Sequence, residues 1–83
     1  MLSESEKSRL KVGQKEVKKL VANRMAEKVF IASDCDDAIS DSIKKGATDA
    51  GAQVVTVETM KELGRICGID VGASCAAVEK LGS

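Results

Sequence analysis

Apolar positions along the chain repeat at two different periods, and the period changes at glycines and at short polar residues suited to capping. Ser3 to Lys7 predicts one capped helical turn, with Ser3 as N-cap and Glu6 at the third helical position. Arg9 to Val12 alternates and predicts a short strand, which Gly13 breaks. From Gln14 to Arg24 the period is helical. Val17, Leu20 and Val21 fall at i, i+3 and i+4 as an inward stripe, and Lys15, Lys18 and Lys19 repeat that spacing on the opposite face. Lys28 to Ser33 is a continuous β-rich run, expected to be a central strand buried on both faces. Asp34 to Asp36 supplies an N-cap for a helix reaching about Ala50, with Ala38, Ile39, Ser42 and Ile43 facing inward and Gly51 as its stop. Gln53 to Glu58 predicts another strand. Thr59 with Glu62 forms a capping box for a helix that buries Met60, Leu63 and Ile66 and ends near Gly68. Ile69 to Gly72 reads as a loop with a hydrophobic tip, and Ala73 to Val78 as a last strand of small residues.

Strands and helices that alternate at this spacing predict an α/β fold: a compact three-layer α-β-α sandwich around a small mixed four-stranded sheet. The inward phases nominate Val17, Leu20, Val29, Ile31, Ile39, Ile43, Val55 and Leu63 as core. At 83 residues, without proline, low-complexity tract or internal repeat, residues 1–83 are expected to form a single domain.

Composition narrows the function. The single aromatic is Phe30, so a surface on which bases stack upon aromatic side chains is not expected. Thirteen basic and thirteen acidic residues cancel, but they are segregated. Lys7, Arg9, Lys11, Lys15, Lys18, Lys19 and Arg24 face Glu16 alone in their stretch, whereas Asp34, Asp36, Asp37 and Asp41 follow later. That distribution suggests one electropositive surface, although a solvated helix face explains charge alone equally well. The three cysteines lack CxxC spacing and there is no histidine, which removes Cys/His zinc sites and leaves free, largely buried thiols in a reducing compartment. The charged N-terminus has no apolar run, no stretch approaches membrane-spanning length, and a cytoplasmic location is expected.

Candidate chemistry is sparse. Gly64, Gly68 and Gly72 recur every fourth residue but match neither a dinucleotide fingerprint nor a phosphate loop; capping and turn formation account for them. The Asp34-Cys35-Asp36-Asp37 run lacks the glycine and glutamate of a calcium loop and is better read as a helix cap. Without histidine or a GxSxG elbow, catalysis has no obvious base or nucleophile. The protein is therefore read as a binding protein and not an enzyme, with no cofactor and no metal. What remains is the basic helix edge. Gly13 permits close backbone approach, and helix N-terminal amides attract phosphate. Glu16 among lysines is out of place for phosphate neutralisation, but a carboxylate can accept from guanine N1–H and N2–H while a lysine donates to O6.

Gly13-Gln14-Lys15-Glu16-Val17-Lys18-Lys19 resembles the Gly-x-Asn-Glu-x-x-Lys signature of the kink-turn RNA-binding family of ribosomal proteins, of L-seven-Ae and L-thirty-e type. The VFIASDCDD and VETMKELGRICGIDVGASCAAV segments resemble its strand-to-acidic-helix and C-terminal regions, so the match runs from about Arg9 to Val78, closest to the bacterial L-seven-Ae-like members. The resemblance implies an α-β-α sandwich that recognises kink-turns, in which a bulge is followed by sheared G·A pairs. It implies that Glu16 and Lys19 contact the guanines, that Gly13 and Gln14 approach the backbone, and that Ile69, Asp70, Val71, Gly72 and Ala73 pack on the bulge. Lys18 is expected on phosphate. Lys15 stands where the archaeal pattern has Asn, as in bacterial relatives, which leaves phosphate as an alternative partner for it. The expected partner is structured RNA, a kink-turn in ribosomal RNA or a messenger leader, bound by a monomer in ribosome or riboswitch association. The alternative is a protein-interaction module on the same fold without specific RNA binding.

Overall fold

Eight elements follow one another in residues 3–81, the part of the chain that the computed structural model describes. They are α1 (Glu4–Ser8), β1 (Leu10–Val12), α2 (Gln14–Ala22), β2 (Ala26–Ala32), α3 (Asp37–Asp49), β3 (Gln53–Val57), α4 (Met60–Cys67) and β4 (Cys75–Glu79). The strands form one sheet in the order β1-β4-β2-β3. β2 pairs with β3 in parallel through the α3 crossover, and β4 runs antiparallel to both β1 and β2, which makes the sheet mixed. α2 and α3 pack on each other and on the sheet, and α4 packs across β2, β4 and β3.

Local chemistry sets most boundaries. Ser3 and Glu6 form a reciprocal capping box, with the Ser3 hydroxyl accepting from the Glu6 N–H at 3.2 Å and the Glu6 carboxylate from the Ser3 N–H at 3.0 Å. Asp36 caps α3 by accepting from Ala38 N–H, and Thr59 caps α4 by accepting from Glu62 N–H. Three chain reversals use left-handed residues at helix ends: Gly51, Gly68 and, without the freedom of glycine, Arg24 at φ 57°. There the Met25 N–H donates to the Leu20 carbonyl and the Arg24 N–H to that of Val21, so α2 stops at Ala22, two residues before the expected Arg24.

Interior strand β2 is buried from Val29 through Ala32, as a strand covered on both faces requires. Val17, Leu20, Val29, Ile31, Ile43 and Leu63 belong to the core, while Ile39 and Val55 are half-buried against it; Val55 lies on edge strand β3. Three inward assignments need correction. Ala38 and Ser42 are exposed, and the buried stripe of α3 is Ile43 and Ala47, flanked by Ile39 and Gly46. The cause is the α2–α3 contact: a Cβ on Gly46 would stand 2.9 Å from Val21 Cγ1, so the helices meet at the glycine and α3 is rotated towards it. Met60 is likewise 37% exposed rather than buried. It opens α4, where only Leu63 and Gly64 are fully covered.

α1 is fastened to the sheet by charge. Lys28 Nζ donates to Glu6 Oε2 at 2.9 Å. Arg9 Nη1 donates to the Glu79 carbonyl at 2.6 Å and pairs with Glu27 at 3.6 Å. The Lys28 hydrogen bond, followed by that from the Ser3 backbone, lowers the Glu6 carboxyl from 4.5 to about 2. All three cysteines are free thiols; Cys35 and Cys75 are buried and Cys67 half-buried.

Candidate nucleic-acid interface

Gly13 connects β1 to α2 at φ 106°, a conformation that side chains rarely adopt, while a Cβ added there would meet nothing within 4 Å. The backbone conformation therefore demands glycine, and the open space leaves room for another molecule. No side chain caps α2 among the described residues. The N–H groups of its first turn have no intrahelical partners, which is the arrangement that attracts anions. Behind them Val17, Leu20 and Val21 anchor the helix in the core. At about 100° per residue this turns Lys15, Lys18 and Lys19 to the outside, with Glu16 on the flank of that face. All four are exposed, and Gln14 is half-buried.

The loop is built at the other end of α4. Gly68, at φ 77°, turns the chain out of the helix. The Ile69 N–H donates back to the Gly64 carbonyl at 3.0 Å and the Ala73 N–H to that of Met60 at 3.0 Å. Between these two bonds the backbone lies down along α4, with Gly72 against Met60. The side chains of the tip point away: Val71 is 69% exposed and Ile69 37%, and Asp70 and Gly72 are exposed as well. Ala73 is buried, so its methyl belongs to the core rather than to the surface of the tip.

β4 joins the two segments. The Gly13 N–H donates to the Cys75 carbonyl at 3.0 Å, and Ser74, one residue earlier, accepts from the Ala32 N–H at 3.0 Å. The start of α2 and the end of the loop are thus tied to consecutive residues at the same end of the sheet. Beneath them, burial pushes the Cys75 thiol up, against the opposing pull of the Ser74 hydroxyl and the Lys18 charge. Cys35 is raised by burial and by Asp34, Asp36 and Asp37 around it, so neither thiol is poised for nucleophilic chemistry.

Two contributors to this surface escaped the sequence reading. Asp34 was expected to help cap α3, but its Oδ1 accepts from the Met60 N–H at 2.7 Å and tethers the β2–α3 connection to α4. Gly64, whose spacing with the other glycines suggests a turn, sits mid-helix directly under the loop. The four-residue glycine spacing was the available signal, since Gly64 and Gly68 recur along one helical face. Among the described residues no His, Cys, Asp or Glu cluster is arranged to hold a metal ion, and no helix is long and apolar enough to cross a membrane.

Comparison with known proteins gives concordant matches. The family described as ribosomal protein L7Ae/L30e/S12e/Gadd45 matches residues 2–83. An RNA-binding protein of Caldanaerobacter subterraneus subsp. tengcongensis is 46% identical over 66 residues, covering 80% of each chain. The large ribosomal subunit protein eL8 of Halobacterium salinarum is 36% identical over 74 residues, which is 88% of this chain and 62% of that one. Among solved structures, the 15.5kD RNA binding protein of Giardia lamblia superposes with a TM-score of 0.76 at 29% identity, over 92% of this chain and 64% of its own.

Proposed function

The chain belongs to the L7Ae/L30e/S12e/Gadd45 family of ribosomal proteins, as one of its bacterial L7Ae-like members, and from that premise we propose that it is an RNA-binding protein that recognises kink-turns. The observation that carries this reading is the Gly13–Cys75 hydrogen bond, which fixes an uncapped basic helix start at the strand end into which the apolar loop runs. A kink-turn offers complementary chemistry on both counts: sheared G·A pairs with polar edges, and bulge nucleotides with apolar faces. Gly13 and Gln14 approach the phosphate backbone, and Lys15 and Lys18 neutralise it. Glu16 accepts from guanine N1–H and N2–H while Lys19 donates to O6. Ile69, Asp70, Val71 and Gly72 meet the bulge. Ala73 supports the loop from below. The proposed target is a kink-turn in ribosomal RNA or a messenger leader, met in the cytoplasm by the monomer; an RNA-binding relative and a ribosomal one support RNA as the partner.

The deciding experiment is a gel shift with kink-turn RNA beside a version whose G·A pairs are replaced by Watson–Crick pairs. Preference for the kink-turn by about tenfold or more is expected. Equal binding of both would leave a non-specific cationic surface. Binding of neither would return the fold to the role of a protein-interaction module.

A further inference from the structure

Gly64 lies in the middle of α4, one turn after Met60 and one turn before Gly68. Its φ is not in the left-handed region, so its own backbone does not call for glycine. In a helix interior, alanine would be favoured by about 1 kcal/mol. The reason for glycine lies outside the helix. A Cβ on Gly64 would overlap the carbonyl oxygen of Val71 and would stand 3.1 Å from the carbonyl carbon and 3.2 Å from Gly72 Cα. The Gly64 carbonyl accepts from Ile69 N–H, and one turn earlier the Met60 carbonyl accepts from Ala73 N–H. The loop is bonded to α4 at both ends and rests in the middle on the position where a side chain is missing. Helix interior stability is given up there, and a seat for the loop is what the structure shows in exchange.

We propose that Gly64 is a positioning residue for RNA recognition: by lacking a side chain it seats the 69–73 loop on α4 and so sets the height and direction at which Val71 and Ile69 meet the bulge. This rests on the kink-turn reading above for its ligand. Gly64 itself is buried beneath the loop and presents no surface to a ligand. Any effect of changing it on binding must pass through the loop, and must be confined to RNA that the loop contacts. The lysines of α2, held by a separate stripe in the core, stay where they are.

The test is a titration of wild type, Gly64→Ala, Val71→Ala and the double variant with kink-turn RNA and with the same RNA lacking its bulge nucleotides. Gly64→Ala is expected to weaken the bulged RNA by about tenfold and to leave the bulge-less RNA and the salt dependence unchanged. Within the Val71→Ala background it should add less than about twofold, since both changes remove the same contact. Equal losses on both RNAs, or full additivity with Val71→Ala, would overturn the proposal. Should Gly64→Ala lose its cooperative thermal transition, Gly72→Ala takes its place. A Cβ there meets Met60 Cβ at 3.2 Å and lifts the same loop by a smaller amount. Because Gly72 itself meets the bulge, the seating role is then read from hydrogen exchange: reduced protection at Ile69 and Ala73 is required, and unchanged protection refutes it. If wild type prefers neither RNA, the kink-turn reading fails independently. The seating claim is then read from hydrogen exchange at Ile69 and Ala73, where unchanged protection in folded Gly64→Ala (or Gly72→Ala) overturns it.

Discussion

Glu16 is the single acid between Lys7 and Arg24, and its sign sets it against its neighbours. Towards phosphate a carboxylate can only repel, so a bystander at this position would hinder binding. Glu16→Ala therefore separates two cases by direction. If the carboxylate accepts from guanine, the variant weakens kink-turn binding by about 1–3 kcal/mol and barely changes binding to RNA without G·A pairs. Tighter kink-turn binding by the variant would end the base-reading role. Arg24 offers a residue-scale test of the fold instead. At φ 57° it occupies the position after α2 that glycine usually fills. Arg24→Gly relieves the left-handed strain but loosens the unfolded chain, for a net gain of about 0.5–1 kcal/mol. A urea midpoint that falls would show the strain to be compensated by contacts of the arginine.

At the scale of elements, α2 carries opposite duties on its two faces. Leu20 lies in the core stripe, and Leu20→Ala is expected to cost about 2–5 kcal/mol in chemical denaturation. Lys18, two residues before it on the other face, is exposed. Lys18→Ala should weaken all RNAs alike and lower the slope of log K against log salt by somewhat under one unit, about 0.7–0.9. A sequence-dependent loss would instead place Lys18 on a base. These two faces were legible in the sequence because the period of α2 is local, as were the caps at Ser3, Asp36 and Thr59, which act within three residues of themselves. What was not legible depends on distant partners. The rotation of α3 away from Ala38 and Ser42 is set by Val21 meeting Gly46. Asp34 reads as one more cap until the fold brings Met60, 26 residues away, to its carboxylate. The exposed Ile69–Val71 tip could be foreseen, because apolar residues in a glycine-bounded loop have no strand or helix to bury them. Its seat on Gly64 could not.

At the scale of the whole molecule, the ends of the described chain are held by charge as well as by packing. With its carboxyl at about 2 in the folded protein against 4.5 ordinarily, Glu6 contributes stability that is present above about 4.5 and lost as pH falls towards 2. Lys28→Met should make the acid limb of stability shallower across that window, as read from urea midpoints from neutral pH downwards. An unchanged limb would assign the acid transition to other carboxylates. Arg9 closes the same region by reaching the Glu79 carbonyl, 70 residues further along the chain. Gly13 closes the candidate interface in the same way, through the Cys75 carbonyl at the start of β4. A ribosome releases a chain from the N-terminus, so Lys15, Glu16 and Lys19 emerge long before the strand that fixes their relation to the loop. Until β4 is made, a growing chain carries these charges without the Cys75 carbonyl that fixes Gly13, and under the proposed function it would hold RNA only loosely. Under the proposed function, discrimination among RNAs is thus acquired late, when the last strand enters the sheet.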